Sequence, residues 1–192
     1  MGKKDVLSRY ARTEDGRIII DVAADRVKDL YNDFDKRAPY MKKDLDQELV
    51  DYLIDCALEI GKKPFSIRIN LPSVPGSESI SRVRESVQRF FEYLEAAEHR
   101  EMRKILRTSL ILLAIGLVLI VMSIWFNRAM ASSDSVVANV FSEGLTIAAW
   151  VSFWEALATF LIQWPSRRGD IKLYRRLAAS TVEFQVLSSE HI

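Results

Sequence analysis

An uncharged run near the middle of the chain constrains the fold more than any other feature. Residues 110–122 are all aliphatic or small, and no charged side chain occurs in residues 109–126. A helix needs about 20 mainly apolar residues to cross a hydrocarbon core about 30 Å thick. Residues 105–126 therefore predict a first transmembrane helix.

A second apolar run follows after a short connector, residues 127–135. Residues 136–164 carry only Glu143 and Glu155 as charged side chains. At about 1.5 Å per residue, a helix of this length reaches about 43 Å, so we expect it to tilt or to extend beyond the bilayer. The two runs together predict a transmembrane hairpin with an external loop.

Basic residues lie at the outer ends of this hairpin. Those before the first span are Arg100, Arg103, Lys104 and Arg107, and those after the second are Arg167, Arg168, Lys172, Arg175 and Arg176. The connector has only Arg128 and Asp134. Because cytoplasmic flanks are enriched in Lys and Arg, we predict a multi-pass protein of the cytoplasmic (inner) membrane with both termini in the cytoplasm. The same residues attract anionic lipid by about 1 kcal/mol each, although orientation alone explains them.

Three short segments outside the hairpin alternate apolar and polar residues, as half-buried strands do. They are residues 17–23, 65–71 and 181–186. Residues 44–60 carry an apolar stripe at helical spacing, with Asp44 and Gln47 as a predicted capping box and Gly61 as the predicted end. We predict an α+β cytoplasmic domain with a small three-stranded mixed sheet, a covering helix and a parallel first pair of strands.

The third predicted strand follows the hairpin and has too little neighbouring sequence to fold alone, so we expect it to join the N-terminal sheet. Apolar positions at helical spacing continue from about residue 79 into the first span without a helix breaker. The predicted layout is a cytoplasmic domain (1–78), a long stalk helix (79–104), transmembrane helices (105–126 and 136–164) around an external loop (127–135), and a cytoplasmic tail (165–192) whose strand joins the sheet.

Small or polar residues recur on one side of each predicted span. They are Ser109, Gly116 and Ser123 in the first span, and Ala148, Ser152, Glu155 and Thr159 in the second. Close backbone approach and interhelical hydrogen bonds hold helices together in lipid, so these residues predict a packing seam. A pore lining is the alternative, and it requires several copies of the chain because two helices cannot enclose a pore.

Glu155 is the most unusual of these residues. It precedes Trp164 by about nine residues, which places it about 13 Å inside the span by helical rise. An ionised carboxylate there costs a few kcal/mol, so we expect Glu155 to face protein or water, or to be protonated. One interpretation is a hydrogen bond to the first span or to a neighbouring chain. The other is a role in ion or proton movement.

Recognisable catalytic motifs are missing from the sequence. It has no phosphate-binding glycine loop, no zinc-ligand spacing and no Ser, His and Asp arrangement. A net charge of +1 argues against nucleic-acid binding. Cys56 lies on the apolar stripe and is predicted to be a small buried hydrophobe. Asp33, Asp35, Asp44 and Asp46 suit turns and helix caps better than a divalent-metal site. We therefore expect no cofactor.

Four short motifs carry a resemblance to known proteins. They are Lys43-Asp-Leu-Asp46, Phe90-Phe-Glu-Tyr93, Trp150-Val-Ser-Phe-Trp-Glu155 and Trp164-Pro-Ser-Arg-Arg168. Together they resemble an uncharacterised family of small prokaryotic two-span integral membrane proteins. The resemblance implies the two-span layout and transfers no activity.

The function expected from the sequence is that of a non-enzymatic integral membrane protein. Its cytoplasmic domain would bind a partner, sense the membrane or act as a scaffold, and the protein would self-associate. The alternative is a subunit of a small oligomeric channel or transporter in which Glu143 and Glu155 line a water-filled path. An enzyme with a site built from dispersed residues also stays open.

Overall fold

The computed structural model describes residues 7–32, 44–129 and 136–186. It contains strands β1 (Ile18–Ala23), β2 (Phe65–Leu71) and β3 (Thr181–Val186), helices α1 (Gln47–Ile60), α2 (Ser77–Ala129) and α3 (Val136–Ala178), and short 3-10 helices at Leu7–Arg9 and Val27–Leu30. The chain forms two compact units. One runs up to Ala96 and resumes at Ile171, and the other is Ala97–Asp170.

Helix α1 begins later than the sequence pattern predicted. Its N-cap is Asp46, whose Oδ1 accepts hydrogen bonds from two backbone N–H groups of the first turn, at 3.0 and 3.3 Å. The Gln47 side chain donates to Asp51 (2.9 Å), so the predicted capping box of Asp44 and Gln47 is wrong. Asp46, and not Asp44, lies next to the backbone N–H groups that have no partner within the helix. Gly61, with φ of 69°, ends the helix as predicted.

The three strands form one parallel sheet in the order β1-β2-β3. Ile18 pairs with Phe65, which confirms the predicted parallel first pair. Ser66 pairs with Thr181, so the third strand joins the N-terminal sheet. The prediction of a mixed sheet is wrong because β3 is also parallel to β2. The last turns of α3 pack in the domain core immediately before β3. A helix in this position brings the chain back to the end of the sheet where β2 begins, so β3 runs parallel to β2.

The core of this domain draws on distant parts of the chain. One face of the sheet is apolar and is covered by α1, by the first turns of α2 and by the last turns of α3. The buried side chains on these helices are Val50, Leu53, Ala57 and Ile60 of α1, Val83, Val87 and Phe91 of α2, and Leu173 and Leu177 of α3. The residues before and after the hairpin therefore share one hydrophobic core.

The start of α2 belongs to this core, which changes the predicted stalk. Val83 and Phe91 are fully buried, and Val87 is 4% exposed. Helical residues inside a core cannot act as a free spacer, so the stalk predicted for residues 79–104 is not confirmed for its first half.

Two arginines that the sequence assigned only to membrane orientation hold the end of α3 in the domain. The guanidinium of Arg176 donates to the carbonyl oxygens of Gly61 and Lys63, and it lies 5.0 Å from the centre of the Phe65 ring. Burial lowers the pKa of Arg176. Arg175 forms an ion pair with Glu95 at 2.7 Å.

Helices α2 and α3 are both long and apolar enough to cross a membrane. Large apolar side chains are exposed along α2 from Leu106 to Trp125 and along α3 from Val136 to Ile162. Helix α3 continues beyond the predicted end of the second span, through Pro165, to Ala178. Proline has no N–H to donate, but the rest of the helical pattern continues on both sides of it. Residues 130–135 of the predicted external loop lie outside the described residues.

The shared core predicts that a change in α3 destabilises the N-terminal strands. Leu177→Ala removes a fully buried side chain and should lower the free energy of unfolding of the domain by about 2–5 kcal/mol. Hydrogen exchange should then accelerate in β1 and β2 as well as in β3. Lys172→Ala, at an exposed position of the same helix, is the control and should change little. Faster exchange confined to α3 would contradict a common core.

Candidate functional site

Small residues spaced seven apart form the contact between α2 and α3. Seven residues are close to two helical turns, so each set lies along one face of its helix. The helices run in opposite directions, and the three levels of the contact are called layers here. The residues are Ser109, Gly116 and Ser123 of α2, and Ser142, Ala149 and Ala156 of α3, all of them buried.

The first layer is a cluster of hydroxyl groups. The Ser123 hydroxyl lies 2.8 Å from Thr146 Oγ1 and 3.2 Å from the carbonyl oxygen of Ser142, and its distance to Ser142 Oγ is 3.4 Å. Thr146 Oγ1 also donates to the Ser142 carbonyl oxygen (3.1 Å). Interhelical bonds of this kind contribute about 0.6 kcal/mol each in lipid, and up to about 2 kcal/mol. The predicted role of Ser123 in packing thus has a defined partner set.

The second layer is a close approach of the two backbones. A Cβ atom added to Gly116 would lie 3.2 Å from the carbonyl oxygen of Ala149 and 3.2 Å from the Phe153 ring. Ala149 is fully buried. A glycine at this position lets the helices pack backbone to backbone, as in other small-residue contacts between membrane helices.

The third layer lacks a polar partner. The register of the other two layers places Ala156 opposite Ser109, and both residues line the same groove of about 410 Å³. Ser109 is 7% exposed, and its Oγ has no hydrogen-bond partner in the described part of the chain. Alanine has no polar side-chain atom, so the hydroxyl of this layer is unsatisfied where that of Ser123 is bonded.

The residues predicted to form the seam on the second span lie elsewhere on α3. Ala148 and Glu155 are exposed, and Ser152 and Thr159 are half-buried. The Ser152 hydroxyl donates to the Ala148 carbonyl oxygen one turn earlier, at 2.9 Å. The heptad of Ser142, Ala149 and Ala156 was the missed signal, and it matches the heptad recognised on the first span.

Glu155 lies on the outer surface of the helix pair. In residues 7–32, 44–129 and 136–186, no hydrogen bond or ion pair of its carboxylate is found. A bond from Glu155 to the first span is therefore not formed within this part of the chain. The other predicted partner, a neighbouring chain, stays a prediction.

Glu143 lines a separate polar groove of about 440 Å³. The other lining residues are Asn127, Asn139, Ser142, Thr146 and Ile147. Ser142 and Thr146 also belong to the hydroxyl cluster, so this groove adjoins the first layer. The structure does not bring Glu143 and Glu155 together, since they lie three turns apart on one helix.

The opposite end of the helix pair is basic and aromatic. Arg167 forms a forked ion pair with Glu98, with nitrogen–oxygen distances of 2.9 and 3.1 Å. Arg168 lies 4.9 Å above the ring of Trp164, and the centre of that ring lies 5.1 Å from the centre of the Phe160 ring at an interplanar angle of 31°. These contacts hold the two guanidinium groups in different environments, one beside a carboxylate and one over an indole.

The compact unit that contains the sheet has a small polar cavity, of about 280 Å³, at the edge of β1. Tyr10 donates to Glu59 (2.7 Å), and Tyr52 donates to the carbonyl oxygen of Asp21 (3.1 Å). Burial, with a further contribution from Cys56, raises the pKa of Tyr52 to about 12. Cys56 is buried, as predicted.

Within the described ranges, no group of three or more His, Cys, Asp or Glu side chains is placed to hold a metal ion. Of the four aspartates considered for such a site, Asp46 caps α1 and Asp44 lies just before it. Asp33 and Asp35 lie outside the described residues. These positions give the described aspartates local structural roles.

Comparisons with known proteins add no relative: no protein-family model, curated protein or solved structure matches the chain significantly. The resemblance to a two-span prokaryotic family therefore stays a prediction from its four motifs.

The close approach at Gly116 gives a direct test of the seam. Gly116→Ala requires the Ala149 backbone or the Phe153 ring to move, and it should destabilise the helix pair by about 1–3 kcal/mol. The measurement is reversible unfolding of the reconstituted protein in mixed micelles of increasing denaturing detergent. Gly169→Ala is the matched control, because a Cβ there meets nothing within 4 Å and alanine is the better helix former. Equal stability of both variants would contradict the seam.

Proposed function

We propose that this chain is a non-enzymatic integral membrane protein that self-associates through the outer face of α3 and presents its α+β domain in the cytoplasm as a partner-binding, sensing or scaffolding module. The observation that carries the proposal is Glu155, a carboxylate on the outer surface of an apolar helix without a described partner. Glu155 is level with Ser109 in the helix pair, so it lies nearer to the boundary of the hydrocarbon core than the sequence alone indicated. A carboxylate that faces acyl chains at this level still gains from a polar neighbour.

The exposed surface of the helix pair supports the membrane placement. Side chains that are about half exposed or more include Leu117 and Val121 on α2, and Val151 and Ile162 on α3. A continuous apolar surface of this kind is far larger than a soluble monomer exposes to water. Bilayer lipid covers it without cost, and the basic flanks orient both ends toward the cytoplasm.

The face of α3 that contains Glu155 has the composition of a helix contact. Gly144, Ala148 and Ser152 follow one another at intervals of four, and Thr159 lies one turn beyond Glu155. A Cβ at Gly144 would meet nothing within 4 Å, so this side of the helix is open. Small residues at this spacing let a second helix approach closely.

A second copy of the same chain fits this face because the face carries both the carboxylate and the hydroxyl groups that can bond to it. When two α3 helices pack in parallel about a two-fold axis, each presents the same residues to the other. The hydroxyls of Ser152 and Thr159 then offer donors within one turn of the partner's carboxylate. Lipid tails offer no hydrogen bond, which favours a protein neighbour at Glu155.

The polar, partly exposed face of the sheet supports a partner-binding role for the cytoplasmic domain. Parallel sheets normally have both faces covered. Here α1, α2 and α3 cover the apolar face. On the other face Ile19 and Ser66 are buried, while Asp21, Glu183 and Gln185 are exposed. The exposed polar part of this face is available for another protein.

The second candidate function is a subunit of an oligomeric channel or transporter. The polar groove at Glu143, with its amide and hydroxyl groups, favours it, since such groups replace the hydration shell of an ion. In this case several copies together would surround the path, and Glu143 or Glu155 would contact the ion or proton.

Substitutions at Glu155 test self-association. Glu155→Leu removes the polar group and should weaken association about fivefold, the equivalent of one interhelical polar contact of about 1 kcal/mol. Glu155→Gln keeps a hydrogen-bonding side chain of similar shape and should associate nearly normally. The measurement is energy transfer between donor-labelled and acceptor-labelled chains in liposomes as the protein-to-lipid ratio is varied.

Glu143→Leu is the matched control, because it removes a carboxylate from the same helix on a different face, and association should be unchanged. Ion and proton flux is measured in the same liposomes. Normal association of Glu155→Leu, together with loss of a flux in Glu155→Gln, would show that the channel interpretation is correct and self-association through this face is not.

A further inference from the structure

We propose that the groove beside the third layer is a binding site for one anionic diacyl phospholipid from the cytoplasmic leaflet. An acyl chain fills the groove, the Ser109 hydroxyl donates to an ester carbonyl oxygen of the lipid, and the headgroup phosphate binds Arg168. This proposal rests on the membrane placement proposed above and is independent of self-association.

The groove has the lining and length of an acyl-chain site. Its volume is about 410 Å³, and the side chains along it are Leu106, Leu110, Leu113, Phe153, Leu157 and Phe160. The segment from Leu106 to Leu113 extends about 10 Å along the helix axis. An apolar groove of this shape excludes a headgroup and accommodates the part of a fatty-acid chain nearest the glycerol.

Ser109 supplies the polar element of the site. A serine in a helix commonly bonds the carbonyl four residues earlier, yet the buried Ser109 Oγ has no partner in the described chain. A buried hydroxyl without a partner is costly, and Ala156 on the opposite helix offers no acceptor. A ligand acceptor resolves this cost.

The expected depth of Ser109 in the bilayer indicates which lipid group accepts a hydrogen bond from its hydroxyl. It lies two residues beyond Arg107, the last basic residue before the span, which is about 3 Å along the helix. This is the boundary between headgroups and hydrocarbon, where glycerophospholipids carry their ester carbonyls. A free fatty acid would place its carboxylate here, whereas a diacyl lipid places a neutral acceptor here and its charge further out.

The basic and aromatic end of the helix pair selects an anionic headgroup. Phe160 lines the groove, Trp164 packs against Phe160, and the Arg168 guanidinium lies over Trp164. Arg167 forms an ion pair with the carboxylate of Glu98, but no carboxylate partner of Arg168 is found in the ranges that the structure describes. A positioned guanidinium without a carboxylate binds phosphate well.

The quenching of Trp164 fluorescence tests the site. The chain has four tryptophans, and replacing Trp125, Trp150 and Trp154 with phenylalanine leaves Trp164 as the only emitter. The full chain is reconstituted in phosphatidylcholine vesicles with phosphatidylglycerol, and either lipid carries bromine near the ester end of its acyl chain. Quenching by each brominated lipid gives their relative association constant at Trp164. We expect about a fivefold preference for phosphatidylglycerol, the effect of one cation at the surface.

Three variants assign the preference to the proposed contacts. Arg168→Gln should abolish it, while Arg128→Gln, a cation at the other end of the helix pair, should leave it unchanged. Ser109→Ala should weaken quenching by both lipids about fivefold through loss of one hydrogen bond, and Ser109→Thr, which keeps the hydroxyl, should restore it. Equal quenching by both lipids, or quenching insensitive to Ser109→Ala, would overturn the lipid site.

Two further readouts separate this proposal from the proposed function. Resistance to alkaline extraction reports insertion, and energy transfer in the same vesicles reports self-association. A protein that inserts and self-associates without any lipid preference overturns only the lipid site. A protein that keeps the preference without self-association supports the lipid site and contradicts the other proposal, and a protein that does not insert overturns both.

Discussion

Apolar side chains give two helices no reason to associate in lipid, because lipid tails are equally apolar. In a bilayer, the contact between α2 and α3 would therefore depend on how closely their backbones approach and on which hydroxyls are bonded. Gly116 provides the approach to Ala149, and Ser123 provides the bonds to Ser142 and Thr146. Ser109 and Glu155 are two polar groups of the helix pair for which the described residues offer no partner. The proposed self-association and the proposed lipid site both concern what satisfies them.

The sheet adds a second constraint, on topology. Because β3 pairs with β2, the residues before α2 and those after α3 belong to one domain. The same domain therefore binds both helix ends, through Phe91 on α2 and Leu177 on α3. If α2 and α3 cross a membrane, these two parts of the chain lie on the same side of it. Arg175 and Arg176 follow the second predicted span, where basic residues favour a cytoplasmic position. They also hold the end of α3 in the domain through their contacts with Glu95 and Lys63.

The sequence predicted what depends on periodicity and composition: two long apolar helices, three strands, and the heptad of Ser109, Gly116 and Ser123. It missed features that depend on which face of an element meets another. The Ala148 face was chosen for α3 because it contains polar residues, but the heptad of Ser142, Ala149 and Ala156 packs on α2. The direction of β3 and the burial of Phe91 follow from tertiary packing, which local patterns do not encode. Ser109 was predicted to pack, but its missing acceptor is visible only in the structure.

The proposed membrane hairpin, whose two ends enter one cytoplasmic domain, is tested most directly by labelling single cysteines with a membrane-impermeant maleimide. The background is Cys56→Ala, and cysteines replace Leu58 in the N-terminal part of the domain, Glu183 in β3, and Ser133 in the connector. We predict that intact cells label only the Ser133→Cys protein. The Leu58→Cys and Glu183→Cys proteins should react only after permeabilisation. Labelling of Leu58→Cys and Glu183→Cys from opposite sides of the membrane would contradict it.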